Sequence, residues 1–460
     1  MLRFDNLTGD GSFDWIAAAA PAILAAEWNG PAVAILAGTV RDAYLEQATR
    51  WAHGYFEKRG GGLRFRIVME DAGRHKITRE EAADGGPLEA LTAIARQVEP
   101  GSIPFSTTNA DAVEAWGHAN FERAVNLDPD FSAAWLSWTQ SLTAAGNARD
   151  ALDAAQRALA HGGLRSKLER TQIELLAANL RQDSAARVAA LAELTRLFPP
   201  DPGALRNLAQ AQFTARQFSE AVHTYQTLIP LDPSGALDLN LLGYAQACMG
   251  NLDEAKSTFE QYGKRSGQAM NALDSLGEAM FLNGRFGDAE KTFLDAYRKD
   301  PSFLEGVDLW KAAHARWLAG DLSGADQLMG QYVNAEARKG GPLTAWLQAN
   351  WLYETGRREQ AAALLTREPS NQLFEQQLAV WKNPNAAAPR DPETLKQLYD
   401  RADPVNDGLP RTLYAAALVE AGRKDEARKL VQLWPLPPRA NSPLDSLMYP
   451  QFLEVRERVH

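Results

Sequence analysis

The chain carries one cysteine, Cys248, in 460 residues, which excludes an internal disulfide and any zinc cage built on thiolates. Its seven histidines (His53, His75, His118, His161, His223, His314 and His460) are scattered without ligand spacing, so no metal site is expected. Basic residues are in the minority, 48 Lys and Arg against 58 Asp and Glu. A formal charge of −10 leaves no basic face for nucleic acid, and none is expected as a partner. Long apolar runs are missing as well. The nearest, Trp15 to Val40, is cut by Glu27, Asn29, Gly30 and Pro31 into two pieces too short to span a bilayer. Asp5, Asp10 and Asp14 precede it where a signal peptide would carry basic residues, so no cleavable leader is read there. The chain opens abruptly on a strand-like "MLRFDNL", and a leader or anchor upstream of it is one expectation. Periplasmic, other extracytoplasmic and cytoplasmic locations all stay open.

Catalytic signatures are lacking too. There is no G-x-x-x-x-G-K-[ST] loop, no H-E-x-x-H and no G-x-S-x-G. "RGGGLR", residues 59 to 64, could cradle a phosphate only at a helix N-terminus, and no helix pattern follows it, so a hairpin turn is the expectation. The "NLT" at Asn6 reads as a turn after a strand rather than a glycosylation site. Acidic neighbours such as Asp253 and Glu254 stand at helix starts, where they favour the helix dipole and form no acid–base pair. Neither a cofactor nor an enzymatic activity is expected. With 45% apolar and 23% charged residues, the composition is that of a folded, soluble chain.

What the chain does have is repetition. "LGYAQACMGNLDEAKSTF" (242 to 259) returns as "LGEAMFLNGRFGDAEKTF" (276 to 293), a step of 34 residues. Leu-Gly sits on a first helix, a later Gly breaks it, a small Ala lets a second helix pack closely, and an aromatic fills the gap to the next unit. The small residue recurs at Ala151, Ala221, Ala255, Ala289, Ala325, Ala361 and Ala427, and the helix-breaking glycine at Gly146, Gly250, Gly284, Gly320, Gly356 and Gly422. Prolines at Pro129, Pro199, Pro233 and Pro301 close helices and open the next ones. Such a helix pair buries its two apolar sides only by stacking on copies of itself. The unit from Ser166 to Pro199 has Arg187 where the small residue belongs, so its packing is expected to be looser or shifted. In the unit that begins near Asn147, Ala155 replaces the aromatic. From 368 to 405 the rhythm fails and reads as two helices around a Pro/Asn-rich loop. Arg411 to Leu433 restores it, and 434–460 reads as a linker with a polar closing helix. "DAVEAWGHANFERAVNLDPD", from residue 111, reads as a second helix without its first.

These positions resemble the tetratricopeptide repeat over about residues 111 to 433. The resemblance implies a mainly α protein: a right-handed solenoid of about seven helix pairs, some degenerate, over 106–433 with a half-repeat cap. It further implies a protein–protein interaction scaffold that holds a peptide or partner protein in its concave groove. In such arrays the first helices line the groove through their positions 5, 9 and 12. Here these are Arg206, Gln210 and Phe213; Asn240 and Tyr244; Asp274, Glu278 and Phe281; Trp310, His314 and Trp317; and Trp346, Asn350 and Tyr353. Aromatics at these positions are not needed for repeat packing and suit an interface. The competing expectation is that the superhelix closes on itself or is covered by the N-terminal domain, which would make the rings core. The Lys/Arg at position 5 and Asn at position 9 of a carboxylate clamp do not occur in adjacent units.

Residues 1–105 break the helical pattern. "VAIL" (33 to 36), "RWAHGYFEKRGGGLRFRIVMED" and "HKITREEA" read as strands, with Gly60 to Gly62 as a hairpin turn. "FDWIAAAAPAILAA" and "PLEALTAIARQV" read as helices, giving a small α/β (α+β) domain. "FDNLTGDGSFDW" and "HGYFEKRGGGLRFRIVMED" resemble the domain that precedes tetratricopeptide arrays in bacterial sensor proteins and is similar to the amino-terminal domain of TolB. That resemblance implies an alternative role, the non-catalytic ligand-sensing half of a bacterial signalling or envelope system.

Overall fold

A computed structural model describes residues 1–28, 34–45, 48–197, 201–340, 343–369, 371–438 and 442–460, with the side chains of 385 and 386 also outside the description. Pro199, and Val33 at the head of "VAIL", lie outside the described residues. The chain forms two compact units, Met1–Asp201 and Pro202–His460. The division falls inside the repeat region, whereas the sequence places a domain boundary at 105/106.

In the first unit, β1 (Phe4–Asn6), α1 (Asp14–Glu27), α2 (Val40–Leu45), β2 (Arg50–Arg59), β3 (Gly62–Asp71), β4 (Lys76–Gly85) and α3 (Pro87–Val98) follow in order. The sheet runs β1-β2-β3-β4, parallel in its first pair and antiparallel in the others. Ala52 and Phe56 on β2 and Leu63, Phe65 and Ile67 on β3 alternate inward, the period of two that a half-buried strand requires. Arg59 pairs with Gly62, so Gly60 and Gly61 make the expected hairpin turn. The expected strand at "VAIL" does not form: residues 34–37 have no regular structure, and are held to Met1 by the Ala37 amide donating to the Met1 carbonyl at 3.0 Å and the Met1 ammonium donating to Ile35 O at 2.7 Å.

The chain continues through α4 (Ala110–Gly117), α5 (Phe121–Leu127), α6 (Ser132–Ala144), α7 (Ala148–His161), α8 (Lys167–Arg181) and α9 (Ser184–Leu197). "DAVEAWGHANFERAVNLDPD" is thus a short pair, α4 and α5, rather than one helix without its partner. Ala119, at a φ of 58°, breaks it. One apolar core joins Phe4, Phe56 and Phe65 of the sheet through Ile16, Ile23 and Ile94 to Phe131, Trp135, Ile173 and Ala177. That shared core runs across residue 105.

The second unit holds α10 (Pro202–Thr214), α11 (Phe218–Leu231), α12 (Ala236–Cys248), α13 (Leu252–Ser266), α14 (Ala269–Leu282), α15 (Phe286–Lys299), α16 (Val307–Leu318), α17 (Leu322–Arg338), α18 (Thr344–Glu354) and α19 (Arg358–Arg367). Then come α20 (Gln372–Lys382), the short α21 (Pro384–Ala387), α22 (Pro392–Arg401), α23 (Gly408–Glu420), α24 (Lys424–Leu430) and α25 (Met448–Val459). Helices α10 to α19 are antiparallel pairs in which each second helix packs on its own first helix and, through α15, on the next first helix as well.

The repeat positions explain this stacking. All seven small residues, Ala151, Ala221, Ala255, Ala289, Ala325, Ala361 and Ala427, are 0% exposed. All six breaking glycines have a positive φ, from 72° at Gly284 to 101° at Gly320, the left-handed region that ends a helix without a Cβ penalty. Where glycine is missing, Gln182 and Arg216 adopt that conformation at 55° and 59°. In the irregular unit Arg187 is exposed, and Val188, the next residue, is buried instead, so the packing phase has moved by one position. Residues 372–401 form the two expected helices, α20 and α22, but the Pro/Asn-rich connection between them carries the short α21. Helix α25 departs from the expectation of a polar cap: it buries Met448, Tyr449, Phe452, Val455 and Val459. No helix among the described residues is long and apolar enough to cross a membrane.

Candidate functional site

The fourteen expected groove residues do come together on the first helices of the second unit, and most are interior. Phe213, Asp274, Glu278, Phe281, Trp310, His314, Trp346, Asn350 and Tyr353 are buried, Arg206, Asn240, Tyr244 and Trp317 half-buried, and Gln210 exposed.

Two causes account for the burial. First, the charged members are paired with ionisable side chains of their own or neighbouring repeats. Arg206 holds Asp238 (Nε to Oδ1 3.0 Å, Nη2 to Oδ2 2.8 Å) and Asp232 (Nη2 to Oδ2 2.6 Å). The Tyr244 hydroxyl donates to Glu278 Oε2 at 2.6 Å, and Lys311 Nζ bridges Glu278 Oε1 (2.6 Å) and Asp274 Oδ1 (2.5 Å). His314 pairs through Nε2 with Glu354 Oε2 at 3.0 Å, while its Nδ1 lies 2.9 Å from the Trp310 carbonyl oxygen. Burial pushes the Asp274 carboxyl up to about 6, against the pull of Lys311, and raises Asp308, Glu278 and Glu354 in the same direction. Burial also works to lower Lys311, but Glu278 and Asp274 outweigh it and leave the ammonium strongly favoured. Three carboxyls around one ammonium stay compatible with the interior because Asp274 and Asp308 adjoin and can hold a proton between them.

Second, the C-terminal helices cover the aromatic positions. Tyr449 of α25 stacks on His314 at 5.5 Å between centroids and meets Trp317 edge-on at 5.5 Å. The Trp434 amide donates to Leu282 O at 2.8 Å, and its ring stands edge-on to Phe286 at 4.8 Å. Trp346 Nε1 donates to Gln377 Oε1 at 2.8 Å, Gln377 Nε2 donates to Ser446 Oγ at 3.0 Å, and Tyr353 stacks on Trp381 at 4.6 Å. Arg216 Nη2 donates to Tyr399 O at 2.8 Å, its guanidinium 3.8 Å from the centre of the Tyr399 ring. The expectation of an open aromatic groove at Phe213, Phe281, Trp310, Trp346 and Tyr353 is therefore corrected. These rings are core, filled from the chain's own C-terminal segment or from neighbouring repeats. Sequence reasoning missed Trp434 and Tyr449. The signal was present in the apolar spacing of 448, 449, 452, 455 and 459 on one helical stripe.

Some polar atoms on this face stay unmatched. Asn240 Oδ1, Trp310 Nε1 and Asn350 Oδ1 are buried without a hydrogen-bond partner, and the two Asp308 oxygens receive no donor other than a proton shared with the Asp274 carboxyl. No cluster of His, Cys, Asp and Glu suited to a metal occurs among the described residues.

No family model and no curated protein matches the chain. Among solved structures it is similar to YrrB, named as a TPR protein with an unusual peptide-binding site (15% identity, 41% of this chain and 95% of that one, TM-score 0.33). It is similar as well to a MamA double mutant (15% identity, 45% and 96%, TM-score 0.28). A third is a tetratricopeptide repeat protein from Parabacteroides merdae (12% identity, 55% and 99%, TM-score 0.38). With TM-scores of 0.28 to 0.38 these likenesses carry no argument of their own, and the resemblance to the tetratricopeptide repeat rests on the chain's recurring alanines, glycines and helix pairs.

Proposed function

We propose that this chain is a protein-interaction scaffold without catalytic activity of its own. A peptide or a segment of a partner protein is held on the first helices of the second unit, at the strip formed by α10 and α12. The supporting observation is the distribution of exposure. Of the fourteen inner-facing residues, Arg206, Gln210, Asn240 and Tyr244, which lie on these two helices, reach solvent, whereas beyond them only Trp317 does. Gln210 bears an exposed amide that can bond the backbone of an extended segment, and the half-buried Asn240, whose Oδ1 is enclosed, can offer its Nδ2 to the same backbone. Leu237, one helical turn before Asn240, is 65% exposed and supplies an apolar contact. Arg206 is fixed by two carboxylates and shapes one side of the strip.

The test is selection of a displayed random-peptide library on the full-length chain, followed by affinity measurement on Gln210→Ala/Asn240→Ala. Two lost hydrogen bonds of about 1 kcal/mol each correspond to binding weaker by roughly thirtyfold. The fold is expected to be unchanged, because both side chains reach solvent. Peptides that bind wild type and double variant equally would place recognition off this strip.

A further inference from the structure

Arg411, on α23, is 7% exposed, and its Nε and Nη2 are both buried without a hydrogen-bond partner. These two nitrogens form the side of the guanidinium whose N–H bonds run parallel and donate to two oxygens at once. Elsewhere the chain fills that same pair with a carboxylate. Arg206 takes Asp238 through it at 3.0 and 2.8 Å, Arg196 takes Glu193 at 2.8 and 2.6 Å, and Arg423 takes Glu426 at 2.6 and 2.7 Å. The groups that act most strongly on Arg411 are Tyr399, Cys248, Arg216 and Tyr449, one of them a second cation, and Asp403, which acts on the neighbouring Cys248, makes no hydrogen bond to Nε or Nη2. Burial pushes the Cys248 thiol up to about 12, so it supplies no thiolate near neutral pH.

The contrast with the buried carboxyls around Lys311 is chemical. A carboxyl crowded by others takes up a proton and becomes neutral, whereas a guanidinium in a protein keeps its charge. A buried charge without a partner is strongly unfavourable, and a well-packed apolar side chain of the same length would be better tolerated. Its presence at this position asks for a counter-charge, and the geometry of the two free donors specifies its shape.

We propose that Arg411 is an anion-binding residue, taking an oxyanion group (carboxylate or phosphate) side-on through Nε and Nη2 in a field reinforced by Arg216. Arg216 contributes charge rather than contact, since its Nη2 is held by the carbonyls of Tyr399 (2.8 Å) and Ala402 (3.3 Å). The site rests on no part of the peptide-strip reading.

The experiment is thermal unfolding of the full chain at constant ionic strength, with chloride replaced stepwise by acetate or by inorganic phosphate. The wild-type Tm should rise by about 2 °C or more toward saturation. Arg411→Met should melt at or above the wild-type value in chloride and show no such increment. A rise with acetate alone identifies a carboxylate ligand, and one with phosphate alone a phosphate ligand. Should the methionine variant not fold, Arg411→Lys keeps the charge without the two-donor fork and should lose most of the increment. An equal increment in wild type and variant, or none in either, overturns the assignment.

Discussion

Gly277→Ala tests the repeat at its closest approach. A methyl group on Gly277 of α14 would lie 2.5 Å from Phe293 Cε1, 2.6 Å from Cδ1 and 3.1 Å from Cζ. Comfortable carbon–carbon contact begins near about 3.5 Å, so the overlap reaches about 1 Å on two ring atoms. Phe293 is 0% exposed and cannot swing away. Removing a helical glycine gains about 1 kcal/mol, while overpacking costs about 1–3 kcal/mol or more. The clash should dominate, with a net loss of about 2 kcal/mol and a midpoint lowered by roughly 4–8 °C. Gly330→Ala, inside α17 with no atom within 4 Å of the added carbon, should instead gain up to about 1 kcal/mol. Thermal and urea melts followed by helical circular dichroism compare the two. Phe293→Leu in the Gly277→Ala background should restore part of the loss, a coupling that a double-mutant cycle isolates. Equal signs for the two glycines, or an absence of coupling to position 293, would refute the close-packing argument. It would refute it for Gly243 and Phe259 as well, where the same methyl would lie 2.6 Å from the ring.

Further perturbations address other parts of the unit. Ala255→Leu and Ala289→Leu, at sites 0% exposed, should each cost about 1–3 kcal/mol, and wild-type melting temperatures would contradict the assigned phase. Tyr449→Ala and Trp346→Ala should each cost about 3–5 kcal/mol, and unchanged midpoints would show that the C-terminal helices do not pack as described. Gln182→Gly relieves a φ of 55° and should gain about 0.5–1 kcal/mol, measured by urea midpoint; a loss would mean that the side chain matters more than the turn. Burial holds Asp274 at about 6, above the ordinary carboxylate value. Its contribution to stability is therefore complete below about pH 4 and lost as pH rises through about 6. Asp274→Asn should gain on wild type between pH 4 and 7, and parallel stability curves would exclude that origin.

The repeat was legible because stacking leaves a mark at every unit. The alanines at 255 and 289 and the glycines at 250 and 284 serve a neighbour one period away, so a step of 34 in the sequence is a contact in space. The hairpin at Gly60 and the helix over 87–98 were legible for local reasons, turn chemistry and a period-3.6 stripe. The strand at 34–36 was misread because apolar residues alone do not distinguish a strand from an irregular segment held to Met1 by two hydrogen bonds. The burial of the groove was not legible either. Position 12 of a first helix tells which way Trp317 points, but not that Tyr449, far along the chain, fills the space it points into.

The same distinction separates the two kinds of match on the inner face. Its aromatic part is satisfied by the C-terminal segment, through Tyr449, Trp434 and Trp381, with rings at 4.6 to 5.5 Å. Its charged part is satisfied between repeats, where Arg206, Lys311 and His314 each reach a carboxylate. Neither source reaches Asn240 Oδ1, Trp310 Nε1, Asn350 Oδ1 or the fork of Arg411. Apolar filling needs only volume and tolerates a surrogate, whereas a hydrogen bond needs a complementary atom at one distance and angle. A face packed to completion in its rings and left unmatched in its polar atoms is one whose remaining specificity is polar. That is why amides on α10 and α12 and an oxyanion at Arg411, rather than exposed tryptophans, are the chemistry to test.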